Sequence, residues 1–108
     1  MATYFSHVGD TTNLDVNITD NDDPWDATGA VITYYLRRPG HLGTVLTRSG
    51  ALTINGSSTV VPRARYTTLT TDLDVPGAWI FEVRVSAGGS QVWTSDAMRL
   101  DVAPKIGP

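Results

Sequence analysis

Four acids in seven residues, Asp20, Asp22, Asp23 and Asp26, form the densest group of metal-ligand types in the chain. Calcium takes oxygen ligands, and an EF-hand loop needs them at positions 1, 3 and 5, with glycine at 6 and an acid at 12. Counted from Asp20, those places hold Asp20, Asp22, Pro24, Trp25 and Val31, so the pattern fails at three of the five. The segment reads instead as a turn, because aspartate side chains accept backbone N–H bonds and stabilise bends. A looser calcium site between loops is the alternative, since calcium tolerates irregular oxygen cages.

Other chemistry finds less support. His7 and His41 stand alone, without a ligand-spaced partner. No G-x-S-x-G elbow is present, and no pair of carboxylates is marked out for glycoside chemistry. "GDTTN" and "GALTING" lack the strand, glycine loop and helix of a phosphate cradle. With no cysteine, zinc-thiolate sites, disulfides and thiol nucleophiles are excluded. The expectation is a protein that is not an enzyme and carries no cofactor.

The elements that would position any site are strands. The chain has 108 residues, 41% hydrophobic and 18% charged, enough for one thin-cored domain. Lys105 and Glu82 are the sole lysine and glutamate, so the residues that cover exposed helix faces are nearly missing. A period-2 pattern recurs instead. Leu14, Val16 and Ile18 alternate with polar residues, as do Ala64, Tyr66 and Thr68. Ala30, Ile32, Tyr34 and Leu36 share one face, and Trp79, Phe81, Val83 and Val85 another. Short strands are expected at residues 51–54 and 91–94, and Met98, Leu100 and Val102 complete the set. Turn chemistry separates them, notably "NGSS", "VPG" and "AGGS" with Gly88-Gly89 at its tip. The pattern predicts an all-β antiparallel sandwich of about seven strands. Trp79 or Trp93 would plug its core if the indole N–H finds an acceptor. Residues 1–8 are expected as an N-terminal arm or edge strand, 9–102 as the sandwich and 103–108 as a tail.

Net charge is −3 and the pI about 5.0, which excludes a basic nucleic-acid footprint. No signal peptide is legible at the start, and no apolar run is long enough to span a bilayer. Candidate protein-interface residues are those whose exposure would be costly on a lone sheet, or whose chemistry suits interfaces. They are Tyr4, Phe5 and Val8 near the start, Val31, Tyr35 and Ile80 on outward strand positions, and the arginines Arg37, Arg63 and Arg65.

Several motifs follow one another in a specific order: Gly9-Asp10, "DATGA" leading into "VITYYLRRPG" at Asp26 to Gly40, Tyr66, "TDLDVPGAW" at Thr71 to Trp79, and the Gly88-Gly89 hairpin. Their order and spacing resemble the amino-terminal immunoglobulin-like domain of the phage baseplate upper protein family. The resemblance covers residues 9–102. Trp79 stands where tyrosine is expected, residues 41–62 are looser than the family's link, and the family's long extension does not follow. The resemblance implies an immunoglobulin-like sandwich that docks onto a larger virion assembly. The expected partners are other virion proteins of tail, baseplate or capsid, in multiple copies and a symmetric arrangement, with no nucleic acid and no membrane. The protein would be made in the host cytoplasm and end in the virion. The alternatives are a carbohydrate-binding module using Trp25, Trp93 and Tyr35, or a calcium-dependent adhesion module using residues 20–26.

Overall fold

The computed structural model describes residues 3–18, 25–40, 45–86, 92–95 and 97–104. Those residues contain no helix and eight strands: β1 (Thr3–His7), β2 (Asn13–Asn17), β3 (Val31–Arg37), β4 (Val45–Ile54), β5 (Arg63–Thr67), β6 (Gly77–Ser86), β7 (Val92–Thr94) and β8 (Met98–Ala103). Successive side chains of a strand point to opposite faces, so alternation fixes what is buried. Leu14 and Val16, Ile32, Tyr34 and Leu36, and Ala64 and Tyr66 all lie in the core. So do Trp79, Phe81, Val83 and Val85, and Met98, Leu100 and Val102. These are the positions that the period-2 reading turns inward.

The strands form one continuous path in the order β1-β8-β6-β3-β4-β5-β2, with β7 also on β6. The sheet rolls until it is nearly closed into a barrel. Strand β4 makes the roll possible by changing partners. Val45 to Gly50 pair with β3, and the ladder to β5 begins at Ala51 with an irregularity between Leu52 and Ile54. The wide half of the sheet thus holds β1, β8, β6, β7, β3 and the start of β4, and the narrow half holds the end of β4, β5 and β2. The outermost strands, β1 and β2, meet through side chains. Tyr4 Oη donates to the Asp15 carbonyl at 2.5 Å, and the Ser6 hydroxyl bonds that of Thr12, the residue just ahead of β2.

Three features differ from the sequence expectation. Residues 3–7 add an eighth strand, and β1 pairs with β8 in parallel, so the sheet is not wholly antiparallel. The two halves share β4 rather than standing apart. Strand β4 also begins at Val45, well before residue 51. Its inward positions are Leu46, Arg48, Gly50 and Leu52, so a charge and a glycine interrupt the apolar alternation. Both have structural reasons. A Cβ on Gly50 would lie 2.6 Å from Tyr34 Cε1, so only glycine lets that ring lie against β4. Arg48 reaches Asp72, its Nε and Nη2 lying 3.1 and 2.9 Å from Oδ1.

Asp72 is fully buried. It accepts bonds from Arg48, the Tyr66 hydroxyl and the Leu69 N–H, the last at 2.8 Å. Burial opposes its ionisation, but the Tyr66 hydroxyl, the Leu69 N–H and the Arg48 guanidinium outweigh it and hold the carboxyl below the usual range. Burial, followed by the bond to this carboxylate, pushes the Tyr66 phenol up to about 12. The network ties β4, β5 and the β5–β6 connection together.

Aromatic contacts run through the core from one half to the other. Tyr4 meets Phe81 edge-on at 5.2 Å between centroids, Phe81 stacks near Tyr34 at 6.2 Å, and Tyr34 meets Tyr66 at 5.7 Å. Tyr34 crosses the interior to donate to the Leu14 carbonyl at 2.7 Å. Trp79 is fully buried, and its indole N–H bonds the Val75 carbonyl at 3.0 Å, which supplies the acceptor a core tryptophan needs.

Candidate functional site

Asp20, Asp22 and Asp23 lie outside the described residues. Asp26 forms a local turn, accepting from the Thr28 N–H at 3.0 Å and the Thr28 hydroxyl at 2.5 Å. That hydroxyl, and then the N–H, hold its carboxyl below the usual range. Ala30 N–H bonds the Ala27 carbonyl, so the segment turns tightly into β3. Among the described residues no three His, Cys, Asp or Glu side chains are grouped to hold a metal. His7 Nδ1 lies 3.8 Å from the Asp10 carboxylate on the surface, and His41 is outside the described residues. The hairpin tip at Gly88-Gly89 and residues 105–108 are also outside them.

The two outer faces of the sheet differ in how their side chains are partnered. On the narrow half, β2 presents Asn13, Asp15 and Asn17, and β5 presents Thr67, Arg65 and Arg63 directly opposite. Each pair is hydrogen-bonded. Thr67 Oγ1 lies 2.6 Å from Asn13 Oδ1, and Arg63 Nε donates to Asn17 Oδ1 at 3.1 Å. Between them Arg65 grips Asp15 with two bonds, at 2.6 and 3.0 Å. The Arg65 bonds hold the Asp15 carboxyl below the usual range. This face satisfies itself through cross-strand pairs.

The wide half carries an outer face of another kind. Its central rows are Val45, Arg37, Ile80 and Arg99, then Thr47, Tyr35 and Glu82, then Ser49, Thr33 and Arg84. Tyr35 and Ile80 are half-buried, and Val31 at the end of β3 is 65% exposed. The Arg84 guanidinium lies over the Tyr35 ring, 5.4 Å from its centroid. Phe5 on β1 is 73% exposed beside a shallow groove of about 370 Å³, also lined by Ala78, Arg99, Asp101 and Ala103. Other exposed apolar residues, such as Leu69 and Val60, sit in connections off the strands.

The candidate residues therefore divide by position. Phe5, Val31, Tyr35, Arg37 and Ile80 all lie on the outer face of the wide half, where Tyr35, Arg37 and Ile80 are neighbours across β3 and β6, Val31 stands level with Ser86 at one end and Phe5 level with Ala78 at the other. Tyr4 and Val8 are half-buried and pack against the core, so they support β1 and the turn after it. Arg63 and Arg65 belong to the paired ladder of the narrow half. Trp25 and Trp93 also pack against the core, and the Trp25 indole N–H bonds the Ile18 carbonyl at 3.2 Å. Arg84 and Val92 were not among the candidates. Arg84 alternates outward with Ile80 and Glu82, so its place was legible in β6. Val92, 61% exposed, lies across Ser86 from Val31, a proximity that depends on three strands pairing.

No protein-family model matches this chain, and no curated protein matches it.

Proposed function

We propose that the chain is a non-enzymatic structural protein of a tailed-phage virion, an immunoglobulin-like sandwich that binds neighbouring tail, baseplate or capsid proteins. The observation that carries the reading is the contrast between the two outer faces. One sheet face is closed by its own cross-strand pairs, and the other sets Tyr35 and Ile80 beside Arg37 and Arg84, with Val31 and Phe5 exposed toward its ends. Aromatic and arginine side chains are enriched where proteins meet. Strand neighbours support the finer fold. The relations β2–β5–β4 and β3–β6–β8 follow the B-E-D and C-F-G order of immunoglobulin sheets. Trp79 near the start of β6 bonds back to Val75, as the corner tyrosine of such sandwiches bonds back to upstream backbone. The virion assignment comes from the resemblance of residues 9–102, an argument by analogy.

Quantitative mass spectrometry of purified particles of a phage carrying this gene tests the reading. The chain is expected in multiple copies per particle and resistant to washing. Its absence from intact particles, with abundant free protein in the lysate, would sink the proposal.

A further inference from the structure

The arginines single out one part of the wide face. Of the eight lysines and arginines, all but Lys105 are arginine. Arg38, Arg48, Arg63, Arg65 and Arg99 each bond a side-chain acceptor of this chain, namely Asp74, Asp72, Asn17, Asp15 and Asp101. Among the described residues, the two left without such an acceptor are Arg37 and Arg84. Both point outward from adjacent strands, β3 and β6.

We propose that this strip binds an extended segment of a partner protein with carboxylates at positions i and i+4 and an uncharged apolar side chain at i+2. The inference deepens the assembly reading above and rests on it for the existence of a partner. The spacing follows from register. Arg37 is opposite Ile80, and Arg84 lies four residues farther along β6, roughly 13 Å at strand rise. An extended chain places i, i+2 and i+4 on one side over that same length. Tyr35 sits between the arginines and occupies one face of the Arg84 guanidinium, leaving its N–H edge free for a bidentate carboxylate. Glu82 lies directly opposite Tyr35 and would repel an acid at the middle position. An apolar side chain there covers Tyr35 and Ile80 instead. A second copy offering the same strip would bring Arg37 and Arg84 against their own kind, so charge complementarity selects an acidic partner. The whole chain carries −3, so recognition comes from local contact rather than long-range attraction.

The test is a titration of isotope-labelled protein with the synthetic peptide Thr-Glu-Thr-Val-Thr-Glu-Thr, read by backbone amide shifts. Two comparison peptides replace both glutamates by lysine, or the valine by glutamate. The expected shifts cluster at Thr33, Tyr35, Arg37, Ile80 and Arg84, and both comparison peptides bind several-fold more weakly. Arg37→Gln and Arg84→Gln each weaken binding and together abolish it, with the remaining spectrum unchanged. Equal response to the lysine peptide, shifts located elsewhere, or no shift up to the peptide's solubility limit overturns the proposal. So does self-association of the free protein, seen by sedimentation and lost in Arg37→Glu, because the occupant is then a second copy. Peptide binding by a chain absent from particles removes the virion reading and keeps the surface. A particle-bound chain that ignores the peptide does the reverse.

Discussion

Arg65 and Arg84 occupy comparable places, each outward on an inner strand of its half, and meet different fates. Arg65 has Asp15 directly across the ladder and grips it with two bonds. Arg84 has Thr33 across one ladder and Thr94 across the other, and its guanidinium rests on the diagonal Tyr35. The difference is one of register. On the narrow half every outward residue of β2 has a hydrogen-bonding counterpart on β5, whereas on the wide half apolar, hydroxyl and charged residues share rows. A face that satisfies itself has little to offer a partner. A face with aliphatic and aromatic surface beside arginines that find no side-chain acceptor among the described residues has more to gain from one.

Both faces depend on β4 holding its place, so substitutions inside the fold should have the largest effects. Asp72→Ala removes the carboxylate that Arg48 binds and leaves the Tyr66 hydroxyl and the Leu69 N–H without their acceptor, and should cost about 2–4 kcal/mol in urea denaturation. A loss below about 1 kcal/mol would mean that the buried carboxylate does not hold the halves together. The same group sets acid behaviour. The folded-state pKa values of Asp72 and Asp15 are lowered, so their stabilisation is complete above the unfolded value near ~4 and disappears as pH falls through the folded values. Denaturation midpoints should be level from about pH 7 to about pH 5 and drop below about pH 4, with a shallower drop in Asp72→Asn. A midpoint that rises on acidification contradicts the sign.

Gly50→Ala comes next. The added Cβ meets the Tyr34 ring where β4 passes from one half to the other, and the expected loss is about 1–3 kcal/mol. Retention of full stability would show that the ring shifts freely. The ladder itself is worth less. A double-mutant cycle of Asp15→Asn and Arg65→Gln should give a coupling of about 0–1 kcal/mol, because both side chains are partly exposed. Coupling well above that range would make the narrow face a stability element rather than a satisfied surface. The smallest effects belong to the wide face. Val31→Thr and Phe5→Thr, at exposed positions of that face, should change folding stability by no more than about 0.5 kcal/mol. Large losses there would identify those residues as packing the fold rather than awaiting a partner.

Much of the fold was legible because alternation is a local property. The apolar residues of β2, β3, β5, β6 and β8 face inward as their spacing required. The start of β4 was illegible for a matching reason: Arg48 and Gly50 break its pattern, and both make sense only once Asp72 and Tyr34 lie across from them. Candidate surface residues were half legible. Outward Val31, Tyr35 and Ile80 follow from period 2, but alternation says nothing of what lies across the next strand. It therefore could not separate Arg65, which is paired, from Arg37, which among the described residues has no acceptor.

The sequence by itself determined an all-β chain with its inward face, the failed EF-hand spacing at Asp20 to Val31 and the absence of thiol chemistry. Those are consequences of residue type and near-neighbour spacing. Tertiary structure decided the parallel pairing of β1 with β8, the partner change in β4, the burial of Asp72 and the sorting of the arginines. Each of these depends on strand register between segments far apart in the chain. Register is set by the sum of contacts across the whole sheet, which no local pattern contains.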